Sequence, residues 1–104
     1  MSSYALHPEA YTDLEEIADY IAADSPDAAG RVIEKIFDAI EALVLFPHQG
    51  HRRTDLTSRP LRFGRVYDYL IAYAPEEHPL WVIAVMHGHR SPRVMAAILR
   101  SREK

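Results

Sequence analysis

The chain has 104 residues, of which 48% are apolar and 26% charged, and it contains no cysteine. That length fits one compact domain spanning 1–104, and the composition excludes disordered, collagen-like and fibrous readings. Without cysteine there is no disulfide scaffold, zinc ribbon or thiol nucleophile, and no apolar run approaches the ~18 residues of a membrane span, so the expectation is a soluble, cytoplasmic protein.

The net charge of -3 conceals an asymmetry. Residues 1–50 carry two basic and ten acidic groups, net -8, whereas residues 51–104 carry ten basic and five acidic groups, net +5. Such a split points either to two surfaces with different partners or to two halves that attract each other.

In chain order, Tyr4 to His7 alternates weakly and reads as a short strand. After Pro8, the residues Ala10, Leu14, Ile17, Ala18 and Ile21 recur at the three-and-four spacing of one helical face, with Asp13, Glu15, Glu16 and Asp19 on the other sides. The spacing predicts a helix over 9–23. Ser25-Pro26-Asp27 then supplies an N-cap, a proline at the first helical position and an acid in the first turn. The helix it opens carries Ala29, Val32, Ile33, Ile36, Phe37, Ile40, Leu43 and Val44 on one face, and Pro47 stops it, because the residue before a proline is pushed out of helical geometry. So short a connection makes the two helices an antiparallel hairpin.

The second half is predicted to form the sheet that this hairpin covers. Val66 to Ala74 is rich in aromatic and β-branched residues, Leu80 to His87 repeats that character, and Pro75 to Pro79 is the turn between them. Leu61 to Phe63 adds a third strand before Gly64, giving an antiparallel meander. Ser91-Pro92 repeats the cap signal and opens a last helix over 92–101. On it Val94, Met95, Ile98 and Leu99 cover one face, while Arg93, Arg100 and Lys104 stack on the opposite one. The predicted fold class is therefore α+β: a helical hairpin on a small antiparallel sheet, with a short third helix.

His87-Gly88-His89-Arg90 is the densest polar cluster. In an extended chain His87 and His89 share a face, as a metal pair would, but no carboxylate or third histidine lies near them in sequence; a strand end turning through Gly88 is the simpler reading. Arg52, Arg53, Arg59, Arg62, Arg65, Arg90 and Arg93 form a set without an intervening lysine. Their planar forks suit phosphate and carboxylate groups. Tyr67, Tyr69 and Tyr73 are candidates for stacking on bases, although their alternate spacing reads more simply as packing against the helices. There is no phosphate-cradling glycine loop, nucleophile elbow or helical metal-ligand pair, so neither cofactor nor metal is called for.

Taken together, the run DLEEIADYIAADSPDAA at Asp13 to Ala29, LVLFPHQG at Leu43 to Gly50, the strand start at Arg62, YLIAY at Tyr69 to Tyr73 and VIAVMHGHR at Val82 to Arg90 resemble the RelE/ParE superfamily of type II toxin-antitoxin toxins. The resemblance runs from Tyr4 to about Val94 and implies the fold just described. It also implies one of two activities. ParE-like members poison DNA gyrase, whereas RelE-like members are metal-independent, ribosome-dependent mRNA endoribonucleases that use basic side chains and often a tyrosine near the C-terminus. Here residues 90–104 contain no aromatic residue, which places the chain closer to the ParE-like branch, without assigned catalytic residues. The nuclease alternative would use Arg62 and Arg90, with His87 or His89 as general acid. A further alternative is a decayed or regulatory binding module of the same fold. The resemblance implies a cognate antitoxin as partner, expected at Arg52, Arg53, Arg62 and Arg65, in a homodimer or a heterotetramer with the antitoxin. Target contacts, with gyrase or alternatively ribosome and mRNA, are expected at Arg90, Arg93, Arg100 and Lys104.

Overall fold

Each helix opens on a proline that follows directly on a capping side chain. In a computed structural model describing residues 3–102, the elements run β1 (Tyr4–Leu6), α1 (Pro8–Ala22), α2 (Pro26–Leu45), β2 (Arg62–Val66), β3 (Tyr69–Ala74), β4 (Leu80–His87) and α3 (Pro92–Ser101). The Ser25 hydroxyl accepts from the Ala28 N–H and the Ser91 hydroxyl from the Val94 N–H, both at 3.2 Å. At α1 the cap is His7, whose Nδ1 accepts from the Glu9 N–H at 3.0 Å. Proline at the first helical position removes an amide that would otherwise lack a partner, so all three starts are sharp.

The sheet has the order β1-β4-β3-β2. β2, β3 and β4 form the antiparallel meander, but β1 lies beside β4 in parallel, with Tyr4, Ala5 and Leu6 opposite Leu80, Trp81 and Val82. The sheet is therefore mixed, not purely antiparallel. A parallel pair needs a long crossover, and here the helical hairpin, β2 and β3 all lie between the partners. Three alternating residues carry no sign of which strand they will join.

The meander also differs in its joints. The stretch 66–74 is not one strand; it breaks at Tyr67 and Asp68, the two-residue connection between β2 and β3, and Tyr67 takes a positive φ of 53°. That left-handed conformation is one a tyrosine rarely adopts, so the turn left no glycine or asparagine signal in the sequence. Tyr67 is consequently exposed, whereas Tyr69 and Tyr73 do pack toward the hairpin. The third strand starts one residue later than predicted and runs past Gly64 to Val66.

Two apolar layers sandwich the sheet. Leu14, Ile36, Ile40 and Leu43 of the hairpin meet Ile71, Tyr73, Val82 and Val85. On the other face Met95 and Leu99 of α3, with Leu56 and Leu61 of the preceding loop, cover Phe63, Leu70, Ala72 and Met86. Val94, expected on the packed face of α3, is 45% exposed. A bulge in β4 controls what each layer receives. Tyr73 pairs with Val82 and Ala72 with Ala84, leaving Ile83 as the extra residue. Val82 and Val85 consequently face the hairpin, while Ile83 and Ala84 both face α3.

The long α2–β2 connection is pinned by Tyr73, which is fully buried. Its hydroxyl donates to the Pro47 carbonyl at 2.7 Å and accepts from the Gly50 N–H at 3.1 Å. Burial, the largest influence, raises this hydroxyl's pKa above the ordinary tyrosine value. Gly50 has to be glycine, because a Cβ there would lie 2.6 Å from the Tyr73 hydroxyl oxygen and 2.9 Å from the Phe63 carbonyl oxygen. Tyr73→Phe should therefore lower folding stability by about 1–3 kcal/mol, the cost of leaving a buried amide without its acceptor. Urea denaturation reads this directly, and a midpoint unchanged from the parent would mean that water replaces the hydroxyl.

Candidate functional site

β1 ends at Leu6, and its last bond to β4 runs from the His7 N–H to the Val82 carbonyl at 2.8 Å. Beyond that point the outer edge of β4 has no neighbouring strand among the described residues. The bulge at Ile83 turns the Ile83 carbonyl and the Val85 N–H toward this edge, and two side chains take the place of a strand. Asp13 Oδ2 accepts from the Val85 N–H at 3.0 Å, and Arg102 Nη1 donates to the Ile83 carbonyl at 3.1 Å. The two side chains also join each other in a fork, at 2.6 Å and 2.9 Å. Their side chains are 14% and 8% exposed, so this is a largely desolvated ion pair. Hydrogen bonding to Asp13, more than any other influence, holds the Arg102 guanidinium above its ordinary pKa.

This arrangement corrects the placement of Asp13 on the outer sides of α1, and Arg102 escaped notice altogether. Both signals were present. Asp13 follows Ala10 by three and precedes Ile17 by four; Arg102 follows Leu99 by three and Met95 by seven. Each charge thus sits on its helix's apolar stripe, which is where an ion pair must be if it is to be buried.

Above the ion pair opens a cleft of about 440 Å³ between the second half of α1, the start of β3 and the end of β4. Glu16, Ile17 and Tyr20 form one wall; Tyr69, Val85 and His87 form the other, and His89 and Arg90 stand at its end. Tyr69 and His87 meet edge to face with ring centroids 5.3 Å apart, and His87 and His89 lie 4.9 Å apart. His87 Nδ1 accepts from the His89 backbone N–H at 3.2 Å. That bond assigns the neutral ring's proton to Nε2, which is left as a donor. His89 Nε2 stands 3.8 Å from Asp68 Oδ1, an ion pair only when the ring is protonated. The carboxylate absent from the sequence neighbourhood thus arrives through the β2–β3 turn. Gly88 brings it there, its N–H bonding to the Asp68 carbonyl at 2.6 Å.

The structure divides the arginines into engaged and free. Arg62 Nη1 donates to the Gly50 carbonyl at 2.7 Å and the His48 carbonyl at 3.2 Å, Arg53 forks onto Asp55 at 2.9 and 2.8 Å, and Arg65 Nε closes the β2–β3 turn on the Tyr67 carbonyl at 3.2 Å. The same fork draws the Asp55 carboxyl below its ordinary pKa. Arg59 donates to the Leu99 carbonyl near the end of α3 at 3.1 Å. Arg52, Arg90, Arg93 and Arg100 are exposed and have no side-chain partner among the described residues. Lys104, the last member of the basic stripe, lies outside the described residues.

Distance separates the nuclease alternatives. Arg62 is opposite Tyr73, whereas Val66, Tyr69 and His87 align at the other end of the sheet. Four residues of strand and two strand spacings place Arg62 about 13 Å along and about 10 Å across from His87. His87, His89 and Arg90 are brought together; Arg62 is not.

Residues 4–92 match the family described as the ParE toxin of the type II toxin-antitoxin system, parDE. The chain is also 35% identical over 83 residues to a protein of Sinorhizobium fredii bearing the name "Putative toxin Y4kP", covering 79% of this chain and 84% of that protein.

Proposed function

Since the chain belongs to the ParE toxin family of type II toxin-antitoxin systems, we propose that it arrests bacterial growth in the cytoplasm by binding DNA gyrase, and that its cognate antitoxin neutralises it. The family itself implies the antitoxin; the gyrase target is our reading. The observation that carries it is the separation of Arg62 from the His87, His89 and Arg90 turn. Metal-free cleavage of RNA needs a proton acceptor, a proton donor and cations converging within hydrogen-bond reach of one phosphate. Tyr73 cannot supply the donor, being buried and bonded to Pro47 and Gly50. Arg62 is bonded to backbone carbonyls at the far end of the sheet.

On this reading the exposed cations Arg90, Arg93 and Arg100 meet the target. Arg52, Arg53, Arg62 and Arg65 meet carboxylates of the antitoxin, with Arg52 making its contact free of any internal competitor. Induction of the chain alone in a bacterium should produce gyrase-linked double-strand breaks, relieved by co-expressed antitoxin, without new mRNA ends on ribosomes. Ribosome-dependent cleavage that disappears in Arg90→Ala or His89→Ala would replace this reading with the nuclease one.

A further inference from the structure

The cleft above the Asp13–Arg102 pair holds a combination of groups of which the gyrase reading uses only Arg90. Aromatic rings face it from both walls: Tyr20, 81% exposed at the rim of α1, and Tyr69 with His87 across from it. At one end stands Arg90, a free cation, beside two imidazoles, of which His87 offers an Nε2–H donor. Two further carboxylates bear on the cleft. Glu16 lines the α1 wall with no hydrogen bond or ion pair among the described residues, its charge felt only at a distance by Arg102, and Asp68 stands behind His89, its Oδ1 3.8 Å from the ring's Nε2. Asp13, at the base, is already neutralised by Arg102. At about 440 Å³ the space falls within the range of small-ligand sites.

We propose that this cleft binds a guanine nucleotide unit, with the base between Tyr20 and Tyr69 and the 5′-phosphate at Arg90 and the His87 Nε2–H. Two aromatic walls suit a flat ring that stacks on either face. A guanidinium with an imidazole N–H donor beside it suits phosphate oxygens. Glu16 then sets the choice of base. A carboxylate is acceptor-only, and guanine presents N1–H and the 2-amino group side by side, so it can give both oxygens a donor, which thymine cannot. The inference is independent of the gyrase reading, because binding of a nucleotide by the purified chain requires neither gyrase nor antitoxin.

The test is an NMR titration of the purified chain with guanosine 5′-monophosphate, thymidine 5′-monophosphate and ribose 5-phosphate, following the Tyr69, His87 and His89 ring signals. Guanosine 5′-monophosphate should saturate, binding about tenfold tighter than the thymidine compound, with ribose 5-phosphate weakest. Arg90→Ala should weaken it about tenfold, and Tyr20→Ala about fivefold or more. Glu16→Gln should bring the two nucleotides closer in affinity. All three side chains are exposed, and unchanged circular dichroism verifies that the variants fold. A 5′-phosphorylated dinucleotide beginning with guanine separates the sources. Binding about tenfold tighter than the monophosphate assigns the site to a strand end, and equal binding assigns it to the free nucleotide. The proposal fails if no ring signal saturates up to about 10 mM nucleotide, which is weaker than any specific site need be, or if ribose 5-phosphate binds as well as the nucleotide. It fails equally if Tyr20→Ala and Arg90→Ala leave the affinity unchanged.

Discussion

Arg102→Ala should cost about 3–5 kcal/mol of folding stability, the magnitude expected when one member of a buried ion pair is removed and the other stays. For a chain of this length that corresponds to a fall in Tm of roughly 12–30 °C. The physical reason is local. Arg102 bonds at once to both oxygens of Asp13 and to the Ile83 carbonyl, at a strand edge that no other strand among the described residues covers. Its removal leaves the Asp13 carboxylate, 14% exposed, facing an empty space lined by backbone. Asp13→Ala should be at least as damaging, since the Val85 N–H also loses its acceptor and a guanidinium cannot escape burial by giving up its proton. Asp13→Asn should keep the Val85 bond but not the charge, and fall between the two.

Removing both partners should cost less than the sum of the single losses, because neither charge is then left alone. The raised Arg102 pKa means that this side chain is charged throughout any accessible pH. Its contribution is complete below the unfolded arginine pKa and would be lost only as pH rises through the higher folded value. Urea denaturation of the three single variants and the double variant forms the decisive set. If either alanine variant lies within about 1 kcal/mol of the parent, water reaches the edge of β4 and the pair is not its substitute strand.

This pair shows what the sequence could and could not disclose. The helices were legible to within a residue or two because each has a period, a cap and a stop, and proline at the first position fixes the start. The meander was legible from β-branched and aromatic runs, but its joints were not. The turn at Tyr67 relies on a conformation its side chain disfavours, enforced by contacts from Arg65 and from the strands on either side. β1 could be seen as a strand but not placed, since nothing in three residues specifies a parallel partner 76 positions away, as Tyr4 has in Leu80. The candidate site was half visible. His87, His89 and Arg90 stand out as a cluster, yet Tyr20, Glu16 and Asp68 reach it from other elements, and Arg62, their companion only through the family resemblance, lies at the other end of the sheet. Asp13 and Arg102 are marked in the sequence by a charge on an apolar helical stripe, a signal that the net charge of either half of the chain does not carry.

The second large effect is expected from the exposed side of α3. Arg93 and Arg100 lie on the face opposite Met95 and Leu99, both are exposed, and neither has a side-chain partner among the described residues. Reversing both to glutamate therefore removes no contact on which the fold depends. Arg100 is in the last helical turn, where a cation favours the negative end of the helix dipole. Arg93 is in the first turn, where the dipole prefers an acid. The two dipole effects oppose one another, so the net change in stability should stay within about 0.5 kcal/mol. Binding of the antitoxin, expected at Arg52, Arg53, Arg62 and Arg65 on the loop and β2, should also be preserved. The target is another matter. If each arginine is a contact worth about 2 kcal/mol, the double reversal weakens target binding roughly a thousandfold, and growth arrest should be abolished at equal expression. The measurement is colony survival on induction, with circular dichroism and antitoxin pull-down on the same protein. Loss of toxicity with both controls intact assigns the target face to α3. Arrest that persists unchanged shows instead that Arg93 and Arg100 only keep this face hydrated, and moves the contact to Arg90 and the cleft beside it.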